Sequence, residues 1–272
     1  MLSLAIDEER CIQCGECVTD CPYDVLSLDE GYPTVVADRE DRCIACQHCF
    51  AVCPTGALSI FGLNPDESIE LDCALPSQQQ VATLIKGRRS VRQYLDEPVA
   101  SRVIADLLEV VANGPTGVNN RQLLFTVIED QDSMAALRHD TIEGIRRVDG
   151  QGGLPKELDF FSGIVAAADN GEDILFRNAP HLLIVSTPAS GPSPDPDCLI
   201  ALTYFEILAA ASGFGTVWNG LCKWALTRIV PEILERMNVP EDHSIGYMMS
   251  FGKPAVQYYR TVQRGGARIN RI

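Results

Sequence analysis

Hydrophobic positions along this chain fall into two textures. Up to about residue 61 they come in short runs, "VLSL" (25–28), "YPTVVAD" (32–38) and "ALSI" (57–60), bounded by Gly, Pro and Asp. Such runs read as brief strands. From about residue 80 the spacing becomes helical. "SQQQVATLIKGRR" reads as a helix, and "PVASRVIADLLEVVANG" puts Val103, Ile104, Leu107, Leu108 and Val111 on one face. Pro98 suits the first turn of that helix and Gly114 its end. "LLFTVIED", "HLLIVST" and "YMMSFGKP" are apolar, β-branched or aromatic runs that predict buried strands. "LIALTYFEILAAASG" is apolar nearly all round, which predicts a core or subunit-interface helix. Between them, residues 129–178 are glycine-rich and acidic with no firm period, so loops and short helices are expected there.

The first texture contains a repeat. A shift of 32 residues carries "CIQCGECVTDCP" onto "CIACQHCFAVCP", and Cys11, Cys14, Cys17 and Cys21 onto Cys43, Cys46, Cys49 and Cys53. Arg10 and Arg42, Leu26 and Leu58, and Ser27 and Ser59 coincide as well. The duplicated unit reads as loop, short helix, strand. "GLNPDESIELDCALPSQQQ" then has turn residues and acids without periodicity. The expected division is a cysteine-rich domain over 1–62, a linker over 63–79 and a second domain over 80–272.

Bulk properties narrow the class. The chain has 272 residues, 46% of them hydrophobic, and a net charge of −15. Its acid is concentrated in residues 1–75, where Arg10, Arg39 and Arg42 are the basic residues. That balance argues against a nucleic-acid partner, whose phosphates need basic surfaces. It suits either a solvated face or a docking face for a basic redox protein. The N-terminus shows no basic segment, apolar run and cleavage site in sequence, and the longest apolar stretch is interrupted by Glu206. No signal peptide and no membrane span are therefore expected, and a cytoplasmic setting follows. There, clustered cysteines read as metal ligands rather than disulfides.

Each repeat is C-x₂-C-x₂-C-x₃-C-P. Zinc usually pairs two separated cysteine knuckles, whereas three thiolates at single-turn spacing wrap a multi-iron cluster. The pattern therefore predicts two [4Fe–4S] clusters, with the fourth cysteine of each run serving the other cluster. Cys73, Cys198 and Cys222 match no ligand spacing and read as small buried apolar residues. His48, His139, His181 and His243 show no metal spacing, and no catalytic acid is assigned.

Residues 1–61 closely resemble bacterial-type two-cluster ferredoxins. The resemblance implies one cluster on Cys11, Cys14, Cys17 and Cys53 and the other on Cys21, Cys43, Cys46 and Cys49, with low potentials and one-electron steps.

In the second half, "RRSVRQYLDEPV" sets Arg88, Arg89 and Arg92 around Ser90 in an otherwise acidic chain, a composition suited to binding a phosphate or a delocalised anion. "ANGPTGVNNRQ", "SGFGTVWNG" and "FGKPAVQYYRTVQRG" follow it. In that order the motifs resemble the nitroreductase family of FMN flavoproteins, over about residues 80–266. The resemblance implies an α+β fold with a central mixed sheet flanked by helices, and a homodimer holding FMN at its subunit interface. It implies that Arg88, Arg89 and Ser90 touch the FMN phosphate and ribityl chain, and that Arg92 lies near the pyrimidine edge. Pro115, Thr116, Gly117 and Asn119 match the loop that reaches FMN from the partner. Gly220 and Leu221 match the stretch whose backbone meets flavin N5, and Arg264 matches a basic residue that closes on the phosphate. Two departures stand out. The family's Asn-x-Gln-Pro-Trp reads "NNRQLL", and Gly220 replaces an acidic residue found in many relatives, removing a proton donor from that position.

The function expected is a flavin-dependent oxidoreductase. Electrons pass through two clusters to FMN and on to a small electron-poor acceptor such as a nitroaromatic, quinone or conjugated carbonyl. NAD(P)H or ferredoxin is the donor. The alternative is a non-enzymatic redox sensor or electron-transfer subunit with a protein partner.

Overall fold

The structure is a computed structural model that describes residues 2–71 and 74–272. Cys73 lies outside the described residues. The chain forms two compact units, Met1–Pro76 and Ser77–Ile272.

The first unit follows its repeat closely. Strand β1 (Leu4–Ile6), helix α1 (Glu16–Thr19) and strand β2 (Leu26–Asp29) are succeeded by β3 (Tyr32–Val35), α2 (His48–Ala51) and β4 (Leu58–Ile60). The shift of 32 superimposes α1 on α2, and it also superimposes left-handed residues: Gln13 on Ala45, Gly15 on Gln47, and Asp24 on Gly56. The strands pair across the repeat. β1 is antiparallel to β4, Leu4 opposite Ile60, and β2 is antiparallel to β3, Leu26 opposite Val35. Each half therefore closes on the other, around a small core of Cys17, Leu26, Leu58 and Ile60.

The second unit opens with α3 (Gln78–Gly87), which starts inside the stretch read as a linker. The reason is a capping box: Ser77 and Gln80 each satisfy the other's backbone N–H. Helix α4 (Ser101–Val111) buries Ile104, Leu107 and Val111. Pro98 lies ahead of it rather than in its first turn, because the chain is still extended at Ala100, the residue that caps the helix; just before it the Val99 N–H donates to His181 Nε2 at 2.7 Å. Strand β5 (Leu124–Ile128), β6 (His181–Pro188), β8 (His243–Gly252) and β7 (Gly215–Trp218) form one sheet in the order β5-β6-β8-β7. All three ladders are antiparallel; the parallel part of the expected mixed sheet is a single bridge between Ser90 and Thr216.

Strand β6 is buried on both faces, and the period of two sorts its side chains. Leu182 and Ile184 enter a core with α5 (Gln131–Gly150) and α6 (Phe161–Asp169), while Leu183 and Val185 enter another with α4 and α7 (Pro194–Ala211). The result is a sheet between two helical layers.

The loops expected over 129–178 are replaced in large part by α5, a helix of 20 residues. Its buried face is Met134, Leu137, Thr141, Gly144 and Ile145. Two of those five positions are not large apolar residues, so the periodicity was masked. Thr141 is satisfied by the Leu137 carbonyl at 2.7 Å, and Gly144 abuts Val230, whose Cγ1 would lie 2.6 Å from an added Cβ. Among the described residues, no helix is long and apolar enough to cross a membrane.

Candidate functional site

The eight repeat cysteines separate into two groups. Cys11, Cys14, Cys17 and Cys53 line one cavity, with Ile6, Ile12, Leu28 and Pro33 among its other walls. Cys21, Cys43, Cys46 and Cys49 line another, with Val25, Leu26, Ile44 and Ile60. The cause is the cross-repeat strand pairing, which brings the end of each run to the start of the other. In both loops, left-handed residues flank the second cysteine and curl the chain tightly: Gln13 and Gly15 around Cys14, Ala45 and Gln47 around Cys46. Backbone donors reach the fourth sulfurs. The Val25 N–H meets Cys21 Sγ at 3.4 Å, and the Ala57 N–H meets Cys53 Sγ at 3.2 Å.

Thiolate rings in apolar walls with amides aimed at sulfur fit iron–sulfur clusters. Among the described residues, no three His, Cys, Asp or Glu converge closely enough to hold a single metal ion.

In the second unit, a cleft of about 520 Å³ is lined by Leu84, Arg88, Arg89, Val91, Thr216 and residues 254–258, among others. Its volume lies in the range of small-molecule sites. Segment 88–94 is fixed along the sheet edge. Val91 N–H donates to the Thr216 carbonyl at 2.8 Å, and the Tyr94 hydroxyl donates to the Val91 carbonyl at 2.8 Å. Burial pushes the Tyr94 phenol well above its ordinary pKa, so it stays a donor. Gly215 permits this approach, since a Cβ there would sit 2.6 Å from Val91 Cγ2. Arg88 Nη1 meets Glu206 Oε1 on α7 at 3.0 Å. Arg89 Nη2 donates to the Lys86 carbonyl, while its buried Nε has no hydrogen-bond partner. An orphaned guanidinium donor in an open cleft fits an anionic group such as a phosphate.

The extended backbone sorts the motif. Arg88 and Arg89 line the cleft; Ser90 and Arg92 do not, and Arg92 is exposed with Nη1 on the Ser90 carbonyl at 3.3 Å. The Pro115–Asn119 loop is anchored elsewhere. Gly117 N–H donates to Asp197 Oδ1, also on α7, at 2.9 Å, and Thr116 Oγ1 accepts from Arg121 N–H. Gly220 begins α8 (Gly220–Trp224), whose cap Asn219 accepts from the Cys222 N–H at 2.9 Å and donates to the Leu175 carbonyl and Ser250 Oγ. The Tyr247 hydroxyl occupies the space beside Gly220, 2.7 Å from where a Cβ would stand. Leu221 is half-buried against the core, and Arg264 is exposed in the terminal segment.

Asp197 and Glu206 were missed by sequence reading, where Glu206 counted only as an interruption of an apolar run. Both are buried on α7. Nine residues apart, they are separated by about 180° around the helix. The arc between them on the outer side carries Leu199 and Tyr204, 40% and 47% exposed, with Ile200 and Ile207 half-buried and the exposed Thr203 among them, its hydroxyl donating to the Leu199 carbonyl at 2.7 Å. Helix α7 thus has a mostly apolar outer stripe with Arg88 held at one margin and the Gly117 loop at the other.

Cys198 and Cys222 are buried, as read. Burial pushes the Cys198 thiol up to about 11 and raises the Cys222 thiol as well, so both are poor nucleophiles.

Two cysteine-ringed cavities ahead of a helix–sheet–helix unit with an arginine cleft are the make-up of an electron-transferring oxidoreductase. The chain belongs to the nitroreductase family, whose model matches residues 85–253; residues 6–57 match the 4Fe–4S dicluster domain. A relative from Methanothermobacter thermautotrophicus, named for NADH dehydrogenase/NAD(P)H nitroreductase, is 26% identical over 180 residues, covering 66% of this chain and 80% of the relative. A nitroreductase with bound FMN from Bacteroides fragilis superimposes with a TM-score of 0.55 at 23% identity, covering 71% of this chain and 99% of its own. One from Desulfitobacterium hafniense, also with bound FMN, gives 0.55 at 17% identity, covering 71% and 100%. At these identities the superpositions establish the fold.

Proposed function

We propose that this protein is an FMN-dependent oxidoreductase in which electrons pass through two [4Fe–4S] clusters to FMN and on to a small electron-poor acceptor: a nitroaromatic, a quinone or a conjugated carbonyl. The observation that carries the proposal is the separation of eight cysteines into two rings of four, in a chain whose other unit belongs to the nitroreductase family. When bound, clusters carry single electrons and a flavin exchanges them singly or in pairs.

The residues divide the work. Cys11, Cys14, Cys17 and Cys53 hold one cluster; Cys21, Cys43, Cys46 and Cys49 hold the other. Arg88 and Arg89 bind the FMN phosphate, with Glu206 fixing Arg88 and the free Nε of Arg89 available as a donor. Ser90 and Arg92 serve the ribityl chain and the pyrimidine edge, Gly220 and Leu221 the N5 side, and Arg264 the phosphate.

A homodimer completes the site. Arg88 is held at one margin of the outer stripe on α7 and the Pro115–Asn119 loop at the other. Two copies packed stripe to stripe about a two-fold axis bring one copy's arginine margin to the other's loop margin.

The test is anaerobic reconstitution of the full chain, followed by stepwise reduction and a panel of acceptors. The reading expects iron, sulfide and flavin to co-purify, the flavin to bleach once the clusters are reduced, and turnover on a planar acceptor. Protein without flavin, or clusters that reduce without affecting the flavin, would overturn it. Bleaching by NADH or NADPH alone would identify a nicotinamide as the direct donor.

A further inference from the structure

The internal repeat offers a residue-by-residue comparison of the two cluster sites, and the informative feature is where they differ. The fourth cysteines are matched in one respect. Val25 N–H to Cys21 Sγ and Ala57 N–H to Cys53 Sγ are the same bond under the shift of 32. Two positions after the cysteine the halves part. Thr55 Oγ1 lies 3.8 Å from Cys53 Sγ, within reach of a hydroxyl-to-sulfur hydrogen bond, and its counterpart Tyr23 carries its hydroxyl at the end of a long ring. Thr55 is also held in place: its carbonyl accepts from Arg10 Nε at 2.9 Å, and Arg10 is anchored by a fork to Asp66 at 2.8 and 3.2 Å.

The surrounding charge differs too. The turn around Cys21 reads Asp20-Cys21-Pro22-Tyr23-Asp24, and that around Cys53 reads Val52-Cys53-Pro54-Thr55-Gly56. Two carboxylates flank one sulfur and none flanks the other. Asp20 is met by His48 Nδ1 at 3.3 Å, and the Asp24 carbonyl by Arg39 Nη1 at 3.2 Å. Two charges run the other way: Glu16 stands in the Cys11–Cys17 loop where the second repeat has His48, and the exposed Asp7, four residues before Cys11, where it has Arg39, so the contact at Thr55 rather than the balance of charge carries the difference. Glu16, Asp20 and Asp24 are exposed and act through solvent, whereas Thr55 acts at contact with the sulfur.

Reduction adds a negative charge to a cluster. A donor on a ligating sulfur stabilises that charge, and nearby carboxylates oppose it. We infer that the two clusters are electronically unequal: the one on Cys11, Cys14, Cys17 and Cys53 is the more readily reduced, and the Thr55 hydroxyl sets much of the difference. Thr55 is a tuning residue, and the first electron rests on its cluster. The inference rests on the two-cluster reading above.

The experiment is a redox titration of the anaerobically reconstituted full chain, followed by electron paramagnetic resonance. Wild type gives two midpoints. Thr55→Val lowers the higher midpoint and leaves the lower unchanged, by roughly a tenfold change in that cluster's electron occupancy, or ~59 mV for one electron. Thr55→Ser retains the hydroxyl and the wild-type values. Tyr23→Thr raises the lower midpoint and draws the pair together. A single shared midpoint in wild type, or a Thr55→Val shift in the lower midpoint, overturns the inference. So does a Thr55→Val titration identical to wild type. If Thr55→Val fails to hold clusters, the Tyr23→Thr arm decides alone, and an unchanged lower midpoint there is contrary. Iron and sulfide assays on wild type separate these results from failure of the two-cluster reading, which would leave no clusters to titrate.

Discussion

Arg88 Nη1 lies 3.0 Å from Glu206 Oε1, joining the end of α3 to the middle of α7 through a carboxylate that is 7% exposed. A buried carboxylate on an apolar helix is costly without a partner, and the guanidinium removes that cost while being held at the cleft. Removing Arg88 alone, as in Arg88→Met, should destabilise the fold by about 3 kcal/mol, the lower end for a broken buried pair because the arginine is partly exposed. Replacing both partners by Met should recover most of that stability in urea melts. Flavin retention should be lost in both variants, which separates the binding role from the structural one.

The stripe on α7 predicts the quaternary dependence of the flavin. Tyr204→Glu places a charge on a surface expected to face a second copy. Sedimentation should show monomer, and flavin content should fall with it, while the far-ultraviolet dichroism stays that of the folded chain. A variant that remains dimeric with full flavin would remove α7 from the interface.

Gly220 and Tyr247 predict a compensating pair. A methyl at position 220 would stand 2.7 Å from the tyrosine oxygen. Gly220→Ala should therefore destabilise by about 1–3 kcal/mol, as overpacking does, and weaken flavin binding. Adding Tyr247→Phe removes the oxygen and should restore much of both, read as a coupling energy in a double-mutant cycle.

His181 predicts a pH dependence. Its ring is buried, Nε2 accepts from Val99 N–H at 2.7 Å, and Nδ1 faces the Ile128 carbonyl at 3.2 Å, which defines the neutral Nδ1–H form. Burial lowers its pKa, against weaker opposing effects of the Ile128 carbonyl and Glu129. Below a pH of about 6.5 the unfolded chain binds a proton that the folded chain refuses. Its contribution is therefore complete above that pH and is lost as pH falls toward the depressed folded value. The slope is at most about 1.4 kcal/mol per pH unit. Urea midpoints from pH 8 to pH 5 should show this fall, and His181→Gln should flatten it.

The two groups of four cysteines were legible in the sequence because those residues are concentrated in two short runs and repeated. The structure lines one cavity with Cys53 beside Cys11, Cys14 and Cys17 and the other with Cys21 beside Cys43, Cys46 and Cys49, in a unit where β1 pairs with β4 and β2 with β3. The strands β5, β6 and β8 were legible because they are apolar and β-branched. Helix α5 was not, since Thr141 and Gly144 interrupt its buried face. Asp197 and Glu206 escaped notice for a related reason. Each binds a group far away in sequence, 80 residues for Gly117 and 118 for Arg88, and a lone carboxylate in an apolar run does not reveal its partner. The alternation that turns Arg89 into the cleft while excluding Ser90 and Arg92 likewise depends on the sheet edge to which segment 88–94 is pinned.

The most direct test of the electron path is a single anaerobic titration of the full-length protein, recording cluster and flavin absorbance together as reductant is added. Two four-iron clusters and one flavin per chain are expected, with flavin bleaching coupled to cluster reduction. Zinc in place of iron, or a flavin that stays oxidised beside fully reduced clusters, would contradict the account.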